Sequence, residues 1–134
     1  MKLTTMISLM LEGMGGTCSI FFLTLLFSLP LGMIVALLRM SKSKVVSNLT
    51  RAVISVLRGT PLMLQLIAVT YGPYYLWQLS VSKTKLIPVV IAFSINYAAY
   101  FAEIYRSGIE SIPAGQYEAA EILGYSKVQT FFRI

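Results

Sequence analysis

Histidine is absent from the 134 residues, cysteine occurs once, and only five side chains are acidic. Because Cys18 stands alone and no histidine exists, the chain lacks the ligands of a zinc site and the partner for an internal disulfide. It also lacks a GxxxxGK[ST] phosphate-binding loop and a plausible pair of catalytic carboxylates. These absences predict a protein that has no catalytic residues and no metal site.

Charge of either sign is scarce. Only 12% of the residues are charged, against roughly a quarter in soluble domains, and the mean hydropathy is +0.76. No charged residue occurs in the segments 13–38, 59–82 and 86–102. A helix needs about 20 predominantly apolar residues to cross a hydrocarbon layer of roughly 30 Å. The sequence therefore predicts an all-α membrane protein with three transmembrane helices in one domain.

Local signals set the boundaries of the predicted spans, which are residues 16–38, 61–75 and 86–106. Pro30 could kink the first span. Thr60 before Pro61 suits a helix N-cap followed by a helix-starting proline, so the second span is placed from residue 61. The short segment 1–12 is expected either to lie at the membrane surface or to fray. A polar connection, residues 80–85, separates the second and third spans.

Basic residues flank the predicted spans unequally. Eight lie in the segment 39–58 or after the third span, whereas three (Lys2, Lys83 and Lys85) lie on the opposite side. The positive-inside rule then places 39–58 and the C-terminal segment in the cytoplasm and the amino terminus outside. Because the basic residues do not form one stripe, nucleic acid is not an expected partner; membrane lipid is.

Residues 109–134, here termed the tail segment, contain charges throughout and no run of membrane-spanning length. Pro113 and Gly124 are placed to start and stop a short helix. Ser126 is placed to cap a second helix that begins at Lys127. We predict two short helices that form a compact cytosolic projection.

A spaced motif lies within the tail segment. Glu118, Ala119 and Ala120 are followed by three residues, Gly124, nine further residues and Ile134. This pattern resembles the E-A-A-x3-G-x9-I-x-L-P signature of bacterial ABC-importer permeases, the loop that docks on the ATPase subunit. The resemblance implies that the tail segment is a coupling-helix loop.

Two further motifs occur upstream in the same order as in that family. RGTPL at 58–62, with Gln65 following, resembles the RGTPLLVQ stretch of the polar amino-acid uptake permeases. AEIYRSGI at 102–109 resembles the AEIxRxGI stretch of the same group. The resemblance covers essentially the whole chain.

Membership of this group would imply a type I importer permease in the bacterial inner membrane, with about five spans. Such a permease pairs with a second permease, which is a copy or a different chain. The pair sits on two ATPase subunits and receives amino acids from an extracytoplasmic binding protein. ATP and magnesium would be bound by the ATPase, so no cofactor is expected on this chain. By the same comparison, two further spans and part of the translocation path are absent from the 134 residues.

The resemblance and the residue types suggest three sets of candidate residues. The ATPase-docking set is Tyr117, Glu118, Ala119, Ala120, Leu123 and Gly124. The possible pathway-lining set is Gln65, Thr70, Asn96 and Glu103. The set that shapes the inner mouth is Arg58, Thr60 and Pro61.

Each set also has a plainer interpretation. Glu103 and Arg106 are three residues apart and could form an interfacial ion pair. Tyr117 and Leu123 could hold the tail segment on its own protein, and Arg58 could be an interfacial anchor. Two other functions stay open: half of a channel or secondary carrier, and a truncated membrane remnant that transports nothing. ATP dependence of uptake separates an importer from a carrier.

Overall fold

The computed structural model describes residues 3–78 and 86–134, and this part of the chain is helical. Six helices follow one another: α1 (Leu3–Arg39), α2 (Lys44–Gly59), α3 (Leu62–Trp77), α4 (Leu86–Glu110), α5 (Ala114–Ile122) and α6 (Lys127–Arg133). The predicted all-α fold is confirmed. The connection 80–85 and Lys2, Lys83 and Lys85 lie outside the described residues.

Helices α1 and α4 form the main packing unit. The buried residues of α1 recur every fourth position, at Thr24, Ser28, Gly32 and Ala36. This spacing places them on one helical face, and all four are small. Helix α4 comes close to this face: a Cβ added at Gly32 would lie 2.7 Å from Phe101 Cβ and 3.2 Å from the backbone oxygen of Ala98. Small residues allow such an approach, which is how membrane helices commonly pack.

The second helix joins this unit near the end of α1. Ile54 of α2 packs with Ala36 of α1 and with Ala99 and Ala102 of α4, and all four side chains are buried. Large apolar side chains point outward instead, among them Phe22, Leu26 and Ile34 of α1. This is the arrangement expected in lipid, where the outer surface of a helix bundle needs no polar cover.

Helices α1 and α4 are each long and apolar enough to cross a membrane, and α2 with α3 provides a third span if that pair is counted together. The two helices of the pair meet at an angle of 104°. Helix α4 begins at Leu86, the first residue of the predicted span 86–106, and has Pro88 in its first turn. Helix α3 continues through Pro73 to Trp77, slightly beyond the predicted end.

The amino-terminal half is more helical than the sequence indicated. Helix α1 begins at Leu3, ahead of the predicted span 16–38, and continues through Pro30. The segment 44–59, with the basic residues Lys44, Arg51 and Arg58, is the amphipathic helix α2, which was not predicted. An amphipathic helix can lie at a membrane surface with its charged residues on the polar face. The basic residues therefore indicate that this segment lies at the membrane surface, and they do not argue against a helix.

The predicted N-cap at Thr60 was wrong. Pro61 is the residue that precedes α3, while Thr60 follows the last residue of α2. The Thr60 hydroxyl donates to the carbonyl of Val56 at 2.8 Å. The free carbonyls at the end of α2 therefore engage this side chain, because the last four carbonyls of a helix have no intrahelical partner.

Candidate functional site

Polar side chains gather where α2 turns into α3, in residues 57–65, here termed the helix corner. Asn96 is 5% exposed and reaches the corner from α4. Its amide donates to Gln65 Oε1 at 3.0 Å and to the carbonyl of Leu57 at 3.2 Å. Two of the predicted pathway residues thus contact each other across 31 positions of sequence.

Gln65 continues this network along the corner. Its amide nitrogen donates to the Leu57 carbonyl at 2.8 Å and lies 2.7 Å from Thr60 Oγ1. The end of α2 therefore receives donors from both α3 and α4. A buried carbonyl without a partner is costly, so these donors stabilise the bent geometry.

The remaining predicted residues of this region occupy different surroundings. The Arg58 guanidinium lies over the Tyr100 ring, 5.1 Å from its centroid, which is within the range of a cation–π contact. Pro61 is the residue from which α3 starts. Thr70 is half-buried on α3, more than one helical turn beyond Gln65.

Glu103 and Arg106 form the ion pair expected from their spacing. Arg106 donates to Glu103 Oε2 at 2.7 Å, and Arg39 Nε lies 3.9 Å from Glu103 Oε1. Arg106 also pairs with Glu110. The carboxylate of Glu103 therefore lies between arginines of α1 and α4, about four-fifths shielded from solvent.

The tail segment follows its predicted outline. Gly124 adopts a positive φ of 73°, and the amide of Tyr125 donates to the Ala120 carbonyl at 2.9 Å while that of Gly124 donates to Glu121. This is a Schellman ending, which favours glycine because a side chain is strained at positive φ. Ser126 then caps α6 in a capping box with Gln129.

The predicted docking residues lie on α5 and directly after it, and they differ in exposure. Glu118, Ala119 and Leu123 are exposed, whereas Ala120 is buried. The Tyr117 hydroxyl donates to the carbonyl of Ile109 at 3.3 Å, so this ring fastens α5 to the end of α4. Tyr117 thus adopts the plainer of the two roles considered for it, and its contact with a partner stays a prediction.

Comparison with known proteins places this geometry in a family. Residues 28–134 match the family model described as binding-protein-dependent transport system inner membrane component. The chain belongs to this family. Among relatives of this permease subunit, the nopaline transport system permease protein NocM of Agrobacterium fabrum is 34% identical, with 93% of this chain and 55% of the relative covered. The L-cystine transport system permease protein TcyB of Bacillus subtilis is 37% identical, with 91% and 51% covered.

A solved structure agrees with the permease fold. The crystal structure of an amino acid ABC transporter with histidines superposes with a TM-score of 0.78 at 30% identity, over 97% of this chain and 61% of that chain. The permease chain spans about half the length of the curated relatives it matches.

Some residues that the structure places on exposed surfaces or in a shared cavity were not predicted from the sequence. Ile122 is 87% exposed on α5, and Val128 and Phe132 of α6 are also exposed. Arg39 and Arg51 share one cavity with Arg58 and Arg106. The spacing of Arg51 and Arg58, seven residues apart on a helix, was the available signal, but it required a helix at 44–59.

Proposed function

We propose that this chain forms part of the translocation path of an ATP-driven importer of polar amino acids and docks a separate ATPase through its tail segment. Family membership supports the importer, and relatives named for L-cystine and glutamine transport support the substrate class. The observation that carries the docking role is the exposed apolar surface of α5 and α6, which lies outside the membrane-length helices.

The proposed docking surface contains one carboxylate beside apolar side chains. Glu118 is exposed on α5, and Ile122 and Leu123 follow it with most of their surface free. Helix α5 has nine residues and α6 has seven, too short to cross a membrane. Exposed apolar patches on such elements mark contact surfaces. We propose that a cleft on an ATPase subunit covers this surface. The assembly is proposed to contain two such ATPase subunits.

The orientation completes the proposal. With the tail segment and 39–58 in the cytoplasm, the amino terminus faces outside, toward an extracytoplasmic binding protein. A second permease chain is proposed to complete the path. Asn96, Gln65, Thr70 and Glu103 remain our proposed pathway residues, and the first two have an additional role in holding the helix corner.

Charge reversal at one glutamate tests the docking role. We expect Glu118→Lys, made in the chain assembled with its partner ATPase, to reduce co-purification of the ATPase and amino-acid-stimulated ATP hydrolysis at least tenfold, the loss expected if at least about 1.4 kcal/mol of docking free energy disappears. Glu12→Lys is the matched control, since it makes the same change in exposed α1.

Equal effects of the two substitutions would contradict docking through α5. Uptake that continues without the ATPase, driven by an ion gradient, would favour the carrier. A stable chain that supports no uptake with all its partners present would favour the remnant.

A further inference from the structure

Helix α2 presents three different faces. One face packs inward through Ile54 and Leu57. A second, apolar face points away from the protein and contains Val45, which is 77% exposed, with Leu49 and Val53 one and two turns later. The third face is polar and contains Arg51, Ser55 and Arg58, at the seven-residue spacing that keeps side chains on one side of a helix.

The polar face of α2 borders a cavity that we term the arginine groove. It has a volume of about 480 Å³ and is lined by the ends of α1 and α4 in addition to α2. Its principal polar and aromatic side chains are Arg39, Arg51, Arg58, Tyr100, Glu103 and Arg106. Four guanidinium groups thus surround one carboxylate.

The one carboxylate in the lining is already engaged. Glu103 accepts hydrogen bonds from Arg106 at 2.7 and 3.1 Å. Among the described residues, neither Arg51 nor Arg58 forms an ion pair, and Tyr100 supports Arg58 from one side only. The N–H groups of these two arginines are therefore available to an anion, for which a guanidinium provides a two-pronged donor.

The groove lies at the depth of lipid headgroups. Arg39 ends the uncharged stretch 13–38 of α1, so it marks the level at which the helix leaves the hydrocarbon. The apolar face of α2 lies on the side of the helix away from the groove, so a helix that lies in the interface with this face in the acyl region holds the groove at headgroup level.

We infer that the arginine groove binds the phosphate of an anionic phospholipid headgroup and so anchors α2 at the membrane surface. The excess of cations provides donors for a phosphate, and the apolar face on the other side of α2 holds these donors at the depth where phospholipid phosphates lie. The inference requires only that the chain lies in a membrane, and it does not depend on ATPase docking or on the transported solute.

Native mass spectrometry of the purified chain tests this inference. The chain is released from micelles containing equal amounts of phosphatidylglycerol and phosphatidylcholine, and the ratio of the two bound lipids is measured. One basic residue near an anionic lipid surface is worth on the order of fivefold in affinity. We therefore expect Arg51→Gln and Arg58→Gln each to lower the ratio about fivefold, since each removes one such charge.

Arg133→Gln is the matched control. Arg133 lies over the Tyr125 ring at 5.7 Å, as Arg58 lies over Tyr100, but it is outside the groove. We expect this variant to keep the lipid ratio of the unmodified chain. Arg58→Lys retains the charge and should keep most of the preference, which distinguishes lost binding from lost folding; helical circular dichroism checks folding in each variant.

Three results would overturn the inference. The first is an unmodified chain without preference for phosphatidylglycerol, and the second is an equal loss in Arg133→Gln. The third is displacement of the bound lipid by a soluble competitor. Displacement by sn-glycerol 3-phosphate would assign the groove to a free phosphate compound, and displacement by glutamine would assign it to the amino-acid path.

Discussion

The close approach of α1 and α4 at Gly32 leads to a quantitative prediction. A Cβ at this position would lie 2.7 Å from Phe101 Cβ and 3.2 Å from the Ala98 carbonyl oxygen, whereas carbon atoms pack at about 3.5–4.0 Å. Overpacking of this kind costs about 1–3 kcal/mol. Replacing glycine by alanine within a helix gains about 1 kcal/mol in propensity. Gly32→Ala should therefore range from neutral to about 2 kcal/mol destabilising.

The same helix contains an internal control. A Cβ at Gly16 would meet nothing within 4 Å, so Gly16→Ala should show only the propensity gain. The two variants should differ by about 1–3 kcal/mol in the free energy of unfolding, the full cost of overpacking. Gly32→Val, with two more methyl groups, should widen the difference.

The free energy of unfolding can be measured by titrating sodium dodecyl sulfate into mixed micelles and following helical circular dichroism. All three variants and the unmodified chain are compared at one protein-to-detergent ratio. If Gly32→Ala and Gly16→Ala unfold at the same free energy, then α1 and α4 do not approach closely at Gly32.

Three further predictions concern the tail segment, the helix corner and the α1 interface. Gly124→Ala should destabilise α5 by about 1–2 kcal/mol, the cost of a side chain in the left-handed region, while Gly115→Ala, whose added Cβ meets nothing within 4 Å, should not; amide hydrogen exchange in α5 reports the difference. Asn96→Ala and Gln65→Ala should be non-additive, with a coupling of about 0.5–3 kcal/mol in a double-mutant cycle, and additivity would contradict their contact. Ser28→Ala should be neutral or stabilising in the same detergent titration, because the buried Ser28 hydroxyl has no hydrogen-bond partner among the described residues. A decrease in the free energy of unfolding above about 1 kcal/mol, the usual contribution of a hydrogen bond, would show that this hydroxyl has a partner.

Features determined by local sequence were the ones that could be predicted. Hydropathy over about 20 residues located α1 and α4, and Gly124 and Ser126 correctly marked the end of α5 and the start of α6. Both residues act through backbone geometry within a few positions, which sequence displays directly. The family motifs also predicted correctly that the chain is a permease.

Features that depend on distant partners could not be predicted in this way. The role of Asn96 depends on Gln65 and on the Leu57 carbonyl, 39 positions earlier, and no local pattern indicates that contact. Helix α2 was not predicted, because its basic residues were used only to orient the spans. These basic residues lie on one face of a helix. The pattern becomes clear only when the inward-packing face and the outward apolar face of the same segment are considered with it.

The hydrogen bonds of the helix corner also differ in when they can form as the chain is made. Gln65 and Thr60 are five positions apart, so their contact is available as soon as α3 is made. Asn96 is translated 31 residues after Gln65, roughly 2–6 s later at 5–20 residues per second. During that interval the end of α2 lacks the donor from α4. The hydrogen bonds that Asn96 donates to the helix corner therefore form last, after both α2 and α3 have been made.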